Sequence, residues 1–501
     1  MNAVVDRNPG KKGRKFNDFL TYEDKTFNQY YLLPFRFIAL NPRREILVNE
    51  IGDFLIVDKG TAEKIILKQL DSLADYELYN DLIANFFISK DKIPVLIDVL
   101  ATRYRTKKSF LDHFTALHIF VITLRCEHTC HYCQVSRVSE DKNSFDMSKR
   151  HIDKGIELMM QSPNPHVTME FQGGEALLAF DHIKYGVEKA KLAALTHNKE
   201  ITFVICTNLA PITTEMLLYC KENSILISTS LDGPEFIHNK NRHKKGNDSH
   251  QLALKGIKLT REILGNDRVS ALLTTSALSL DFPNEIVDEY FKLNFGSMFL
   301  RPISPFGFAT RNEKKNKYNT DRFIEFYKKG LNRIINYNLN GSSFREDYAT
   351  ILLKKILTPF PVGYVDLQSP AGMINNVIVF NYDGKIYASD EARMLAEMSD
   401  FTFQLGHLDT STYNEIFYSD LAVDITEAGI NESLPGCSDC AFQTYCGADP
   451  VLCHSTQGNM YGHRPTNVFC QKNMAIIKHL FELMDSDPKI LKLFNNWVRG
   501  N

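Results

Sequence analysis

The chain has 501 residues, 44% apolar and 24% charged, with a formal net charge of −2. That length exceeds one ordinary core and predicts two to four domains. The near-neutral balance excludes a nucleic-acid-binding surface spread over the whole protein, and no run approaches the ~18 apolar residues of a membrane span.

The N-terminal MNAVVDRNPGKKGRKFNDF lacks an apolar h-region and is expected to be a mobile polar tail over residues 1–20. The ten cysteines, eight of them in two clusters, are then expected in a reducing cytoplasm, where metal or cluster ligation is favoured over disulfides. Residues 21–108 predict a small α+β module. Ile46–Val48 and Phe54–Val57 form a hairpin about a Glu-Ile-Gly-Asp turn, and helical patterns follow at Thr61–Leu70, Tyr76–Phe87 and Ile93–Tyr104.

From 109 to 345 strands alternate with amphipathic helices. The predicted strands are Leu117–Leu124, Val167–Phe171, Ile201–Cys206, Ile225–Ser230, Val269–Thr275 and Met298–Ile303. On the helix Met147–Met160, Ile152, Ile156, Met159 and Met160 share one face; a last helix covers Asp321–Tyr337. Six such units predict a parallel sheet curled as a partial (β/α)6 TIM-like barrel, with functional groups at the C-terminal strand ends. The loop after the first strand carries Cys126, Cys130 and Cys133 in C-x3-C-x2-C spacing, with Tyr132 before the last. Three thiolates leave one iron of a four-iron cubane without a protein ligand, an open position for a small molecule. A zinc knuckle or buried free cysteines is the competing reading. Cys206 and Cys220 read as small buried hydrophobes.

This loop resembles the signature of the radical S-adenosylmethionine (SAM) superfamily, C-x3-C-x-aromatic-C. The resemblance implies that the open iron chelates the amino and carboxylate groups of SAM, and that the reduced cluster cleaves it to a 5′-deoxyadenosyl radical. Other strand ends match the same family. Gly173, Gly174 and Glu175 resemble its GGE, which contacts the SAM amino group. Thr207-Asn208 resembles T-N-G, with Leu209 in place of the glycine. Ser230-Leu231-Asp232-Gly233-Pro234 with Arg242 resembles S-x-D-G-P…R, in which serine and arginine hold SAM. Leu300 matches a position lining the adenine site, and Tyr132 is placed to pack on the adenine. A solvated surface charge is the plain reading of Arg242.

Residues 346–501 read differently. Val377–Phe380 and Lys385–Ala388 form a hairpin, and Cys437, Cys440, Cys446, Cys453 and Cys470 follow. C-x2-C-x5-C with a distant cysteine is a metal or cluster pattern, and four thiolates suit zinc equally well. It resembles the SPASM extension, which adds auxiliary [4Fe–4S] clusters. By matched position Cys437, Cys440, Cys446 and Cys470 hold the outer cluster. The inner one wants cysteines near Ala371, Ser389 and Pro450, so one auxiliary cluster is expected; Cys453 is a spare thiol or a substitute ligand. Sulfatase-maturing SPASM enzymes use an aspartate directly after the hairpin cysteine as a base, and Asp390 occupies that position. A plain turn residue is the alternative. His128, His131 and His454 sit in ligand loops whose cysteines already complete the sets.

The wording TLRCEHTCHYCQVSR, NYDGKIYASDEARMLAEM and CGADP…FC resembles the HxsB family of SPASM-type maturases. That family is associated with a small substrate peptide bearing His-Xaa-Ser repeats and a second radical SAM partner enzyme. The implied activity is hydrogen abstraction from the peptide, fed by an external electron donor and ending in an oxidation such as a crosslink. The N-terminal module resembles PqqD-like peptide-recognition domains, which take a leader peptide as an added strand; a plain packing domain is the alternative. A sulfatase-maturase-like side-chain oxidase and a zinc-stabilised binding scaffold stand as the other functional readings.

Overall fold

A computed structural model describes residues 30–90, 94–133, 141–311 and 316–500. The expected N-terminal tail and residue Ile93 of the third expected helix lie outside them. The N-terminal module is a three-stranded antiparallel sheet, β1 (Phe35–Ala39), β2 (Arg44–Asn49) and β3 (Phe54–Asp58), in that order. The hairpin turn closes as its residues require. Asn49 Oδ1 accepts from the backbone N–H groups of Ile51 and Asp53 at 3.0 and 2.9 Å, and Gly52 supplies φ +80°. β1, missing from the sequence reading, is the free edge opposite β3. Helices follow at Thr61–Ile66, Tyr76–Ala84 and Pro94–Lys107.

Alternation along β2 decides how the module docks. Leu47 joins the module's own small core with Tyr79, Leu82 and Phe87, while Ile46 and Val48 face the main core of the protein. Arg36 Nε on β1 donates to the Ser438 carbonyl at 2.5 Å, and Tyr445 Oη donates to the Gly52 carbonyl at 2.8 Å. The module is therefore seated on the C-terminal cysteine segment.

The main sheet contains β4 (Leu117–Thr123), β5 (His166–Gly173), β6 (Glu200–Thr207), β7 (Leu226–Ser230) and β8 (Val269–Leu272), all parallel and in sequential order. Its other edge is extended by β9 (Val377–Phe380), which pairs in parallel with β4, then by antiparallel β10 (Lys385–Tyr387) and β11 (Gln404–His407). Val377 sits opposite Leu117 and Phe380 opposite Phe120, so one eight-stranded sheet runs from the barrel into the C-terminal region. β4 is consequently central, buried on both faces and read as an uninterrupted apolar run.

The expected sixth strand, Met298–Ile303, is corrected by the structure. It reduces to Ser297–Met298, paired in parallel with Arg345–Glu346 outside the main sheet, and a single bridge joins Thr275 to Pro302. Pro302 and Pro305 offer no N–H to a ladder. The resulting sheet is a partial barrel. Its helix Lys149–Met160 is capped by Ser148, whose Oγ accepts from the His151 N–H at 3.1 Å, and buries Ile152, Ile156, Met159 and Met160. Gly155 lets it approach β4, since a Cβ there would meet Phe120 at 2.5 Å. No helix among the described residues is long and apolar enough to cross a membrane.

Candidate functional site

The loop 126–133 leaves the C-terminal end of β4 under tight control. Arg125 forms a bidentate pair with Asp146 at 2.7 and 2.8 Å, both side chains nearly buried, and Thr123 Oγ1 donates to the same carboxylate at 2.6 Å. Beyond the cysteines, the Thr129 and His131 N–H groups donate to the carbonyls of His243 and Asn241 at 2.7 and 3.2 Å. The loop is stapled to the segment after β7. Burial, then the carboxylates of Glu127 and Glu175, push the Cys126 thiol well up. Burial pushes the Cys130 thiol up to about 12, against the opposing field of Arg242. Such thiols are poor anions alone and become thiolates when a metal supplies the counter-charge.

Tyr132 and Arg242 are brought together. Tyr132 is buried, its hydroxyl donates to Asp232 Oδ2 at 2.5 Å, and Arg242 Nη1 donates to the same hydroxyl at 3.0 Å. Arg242 is thus not the solvated charge of the plain reading; it lies beside Cys130, and its Nε is shut from solvent without a partner. A second orphan flanks the loop, Glu127 Oε2. The other oxygen of Glu127 accepts from Asn208 Nδ2 at 2.8 Å and contacts His128 Nδ1 at 3.0 Å. An unpaired carboxylate oxygen and an unpaired guanidinium N–H are the complements of an ammonium and a carboxylate, the two charged groups of an amino-acid end. The residues present fit the methionyl end of SAM, and Glu127 is a member of the site that sequence reasoning missed.

The glycines of the second strand end also make a close contact within the chain. A Cβ on Gly173 would meet the Thr123 carbonyl at 2.1 Å, and one on Gly174 the Arg125 carbonyl at 2.3 Å. They let the turn lie against the chain's own loop entry, with the Gly174 and Glu175 N–H groups donating to Thr123 and Arg125 carbonyls at 2.8 Å each. Glu175 is fully buried. It accepts from the Leu177 N–H at 3.0 Å, Thr207 Oγ1 at 2.6 Å and the Asn208 N–H at 2.7 Å, joining the ends of β5 and β6. Leu209 follows in the left-handed region, φ +62°, where a side chain costs ~1–2 kcal/mol. The backbone bend is kept although the glycine is gone. Ser230 ends β7 half-buried. His128 contacts Ser249 Oγ at 2.8 Å and His131 contacts Asn316 and Asn241 at 2.7 and 3.1 Å, so both rings are engaged in holding the loop.

A cavity of about 340 Å³ opens beside this loop. Asn316, which donates to the His131 carbonyl at 3.1 Å, lines it together with Leu300 and the aromatic rings of Phe299, Tyr348 and Tyr364. Its wall also carries Arg301, Asp366, Glu391, Asp449 and Lys472. Arg301 Nη2 lies 3.7 Å from Glu391 Oε1. Burial first, then Asp366 and Asp390, push the Glu391 carboxyl up; burial and Asp366 push Asp449 up to about 7. Asp390 begins the helix Asp390–Ala396, accepts from Arg393 Nε at 3.1 Å and stands behind Glu391 rather than on the cavity wall. These five charged groups come from five separate segments, which is why no motif announced them.

Of the C-terminal thiols, Cys446 lies within electrostatic range of Tyr348 and Lys472 on the cavity wall. Cys437, Cys440, Cys446 and Cys470 lie within electrostatic range of one another, the first three on one loop and the last on the helix Val468–Ser486. Among the described residues no three of them approach within 4.8 Å. Tetrahedral zinc at about 2.3 Å per sulfur would draw them to ~3.8 Å apart. A cubane places its four thiolates on separate irons. The expected vacancy of the inner cluster is filled by chain. Ser389 caps the Asp390 helix, its Oγ accepting from the Ala392 N–H at 3.2 Å, and Pro450 opens the helix Pro450–Gln457. Ala371 donates its N–H to the Gly429 carbonyl at 3.0 Å. His454 contacts Asp400 at 2.8 Å, away from ligation.

This partial barrel, with three thiols at the mouth of its first strand and a cysteine-rich extension across its cavity, has the form of a radical SAM enzyme. The Radical SAM superfamily model matches residues 120–290, and the chain belongs to that superfamily. An uncharacterized protein of Methanothermobacter thermautotrophicus is 30% identical over 191 residues, 38% of this chain and 69% of that protein. A cysteine-type anaerobic sulfatase-maturating enzyme of Clostridium perfringens is 21% identical over 382 residues, 74% of this chain and 96% of the relative. The solved structure of anSMEcpe with bound AdoMet and the Cp18Cys peptide superposes with a TM-score of 0.62 at 19% identity, covering 76% of this chain and 99% of the other. The protein is a radical SAM enzyme related to SPASM-type maturases.

Proposed function

We propose that the protein oxidises a ribosomally made peptide of the His-Xaa-Ser repeat type, with a crosslink as the net change. The observation that carries this reading is the cavity beside the three-cysteine loop, lined by aromatic rings and carboxylates. When bound, SAM and the iron–sulfur groups supply hydrogen-atom abstraction and electron transfer. Cys126, Cys130 and Cys133 hold the SAM-binding cluster, and Cys437, Cys440, Cys446 and Cys470 hold one auxiliary cluster. Tyr132, Gly173, Gly174, Glu175, Asn208, Ser230 and Leu300 shape the SAM site, while Glu127 and Arg242 meet its ammonium and carboxylate. The carboxylate pair Asp390 and Glu391 receives the proton released as the substrate is oxidised, and burial excludes water from the exchange.

In this reading the edge strand β1 docks the peptide's leader by strand addition, and Phe37, half-exposed on that edge, offers an apolar contact. A second radical SAM enzyme and an external electron donor complete the system, in a cytoplasm that keeps the ten thiols reduced. The coverage of the sulfatase-maturating relative favours one second reading, oxidation of a side chain in a protein substrate.

The test is incubation of anaerobically reconstituted protein, SAM and reductant with a synthetic His-Xaa-Ser repeat peptide, read by mass spectrometry. A product lighter by a pair of hydrogens is expected. An unchanged repeat peptide alongside an oxidised sulfatase-type peptide would transfer the assignment to the second reading.

A further inference from the structure

Arg464 is a buried cation with unfinished hydrogen bonds. Its residue is 4% exposed; Nη1 donates to Cys453 Sγ at 3.4 Å, while Nε and Nη2 are buried without a partner. A charged donor left unpaired in the interior is costly, so the guanidinium requires an anion in front of it. The groups that feel its charge are Cys437, Cys470, Cys453 and Asp449, and its stem packs on Gly436 next to Cys437.

Cys453 is the anchor of this arrangement. It is fully buried, and its sulfur accepts from Asn467 Nδ2 at 3.2 Å as well as from Arg464. A Cβ on Gly462 would meet that sulfur at 2.7 Å, so the thiol is walled in on a third side. A sulfur enclosed by two donors and a backbone has no free approach to a metal.

We propose that Arg464 is a positioning residue of the auxiliary centre: its unpaired N–H groups donate to the sulfur atoms of the four-thiolate cluster, and Cys453 holds the guanidinium in that pose without ligating. This rests on the reading that Cys437, Cys440, Cys446 and Cys470 bind a four-iron cluster. A fixed cation stabilises the reduced, more negative cluster over the oxidised one, so Arg464 raises its potential.

The experiment uses the full chain with Cys126, Cys130 and Cys133 replaced by alanine, reconstituted so that the auxiliary centre is the one to be titrated. With Arg464→Met, iron content is expected to hold while the reduced-to-oxidised ratio at the parent midpoint falls at least tenfold, ~59 mV for one electron. Arg464→Lys, which keeps the charge, is expected to recover part of the shift. Because a buried arginine variant can fail to fold, the parent chain is also labelled with guanidinium-15N arginine. Pulsed electron paramagnetic resonance of its reduced centre is expected to show a 15N coupling. Bound iron with an unshifted midpoint in Arg464→Met, or without that coupling in the labelled parent, overturns the role of Arg464 alone. A parent that binds no iron overturns the cluster reading and this inference with it.

Discussion

The two thiol sets are built on different plans. Cys126, Cys130 and Cys133 come from eight consecutive residues on a loop hung from β4, and orphaned groups of Glu127 and Arg242 face the same region. Cys437, Cys440, Cys446 and Cys470 come from a loop and a helix, covered by the N-terminal module through Arg36 and Tyr445. The first set is short of one ligand and has unpaired polar atoms suited to a small molecule. The second supplies four thiols, partly exposed like those of the first. Three cysteine ligands leave one iron of a cubane open to a small molecule, whereas four complete its ligand set.

The largest expected effect separates the two sets. Replacing Cys126, Cys130 and Cys133 with alanine should abolish 5′-deoxyadenosine formation and remove about four of some eight irons, from two four-iron cubanes. Replacing Cys437, Cys440, Cys446 and Cys470 should remove a similar amount of iron but leave uncoupled SAM cleavage measurable. Twelve irons in the wild type would show a further cluster where Ser389 and Pro450 now close the chain.

Next in size are the carboxylates of Asp390 and Glu391. Asp390→Asn and Glu391→Gln should each keep both clusters and SAM cleavage, while oxidised peptide falls by at least an order of magnitude, the low end of the ~10²–10⁴ range for general-base help. Loss confined to Glu391→Gln would give the proton to the carboxylate on the cavity wall and leave Asp390 as its charged neighbour.

A smaller effect is expected on the module that covers the second set. Truncating it would strip the contacts of Ile46, Val48 and Arg36, so a point change is the sharper probe. Phe37→Asp should weaken leader-peptide binding, followed by fluorescence anisotropy, about fivefold, near 1 kcal/mol, without touching iron content. Unchanged affinity would leave the module as a lid alone.

The last effect is a pH dependence of stability rather than of activity. The Asp449 carboxyl is raised by burial to about 7. Its stabilising contribution is therefore complete below its unfolded value near 4 and is lost as pH rises through about 7, at most ~4 kcal/mol. Asp449→Asn keeps the cap on the Leu452 N–H, now 2.9 Å, and removes the charge. Its melting temperature should fall less between pH 5 and 8 than that of the wild type. Equal slopes would assign the dependence to other groups.

Much of this arrangement was legible along the chain because its signals are local. The cysteine spacing, the apolar run of β4, the Gly-Gly-Glu turn and the hairpin at Val377–Phe380 each occupy one short segment, where periodicity and turn chemistry act directly. The same locality misled at Met298–Ile303, whose apolar residues looked like a strand although Pro302 offers no N–H to a ladder. Tertiary structure alone decided that β9 would pair with β4 and carry the barrel sheet into the C-terminal region, because parallel pairing joins segments more than two hundred residues apart. It also decided that Gly173 and Gly174 would serve the chain's own backbone, and that Glu127, Glu391, Asp449 and Arg464 would stand at the two thiol sets. Those roles depend on burial and on unpaired atoms, quantities that exist only once distant segments have excluded water from between them.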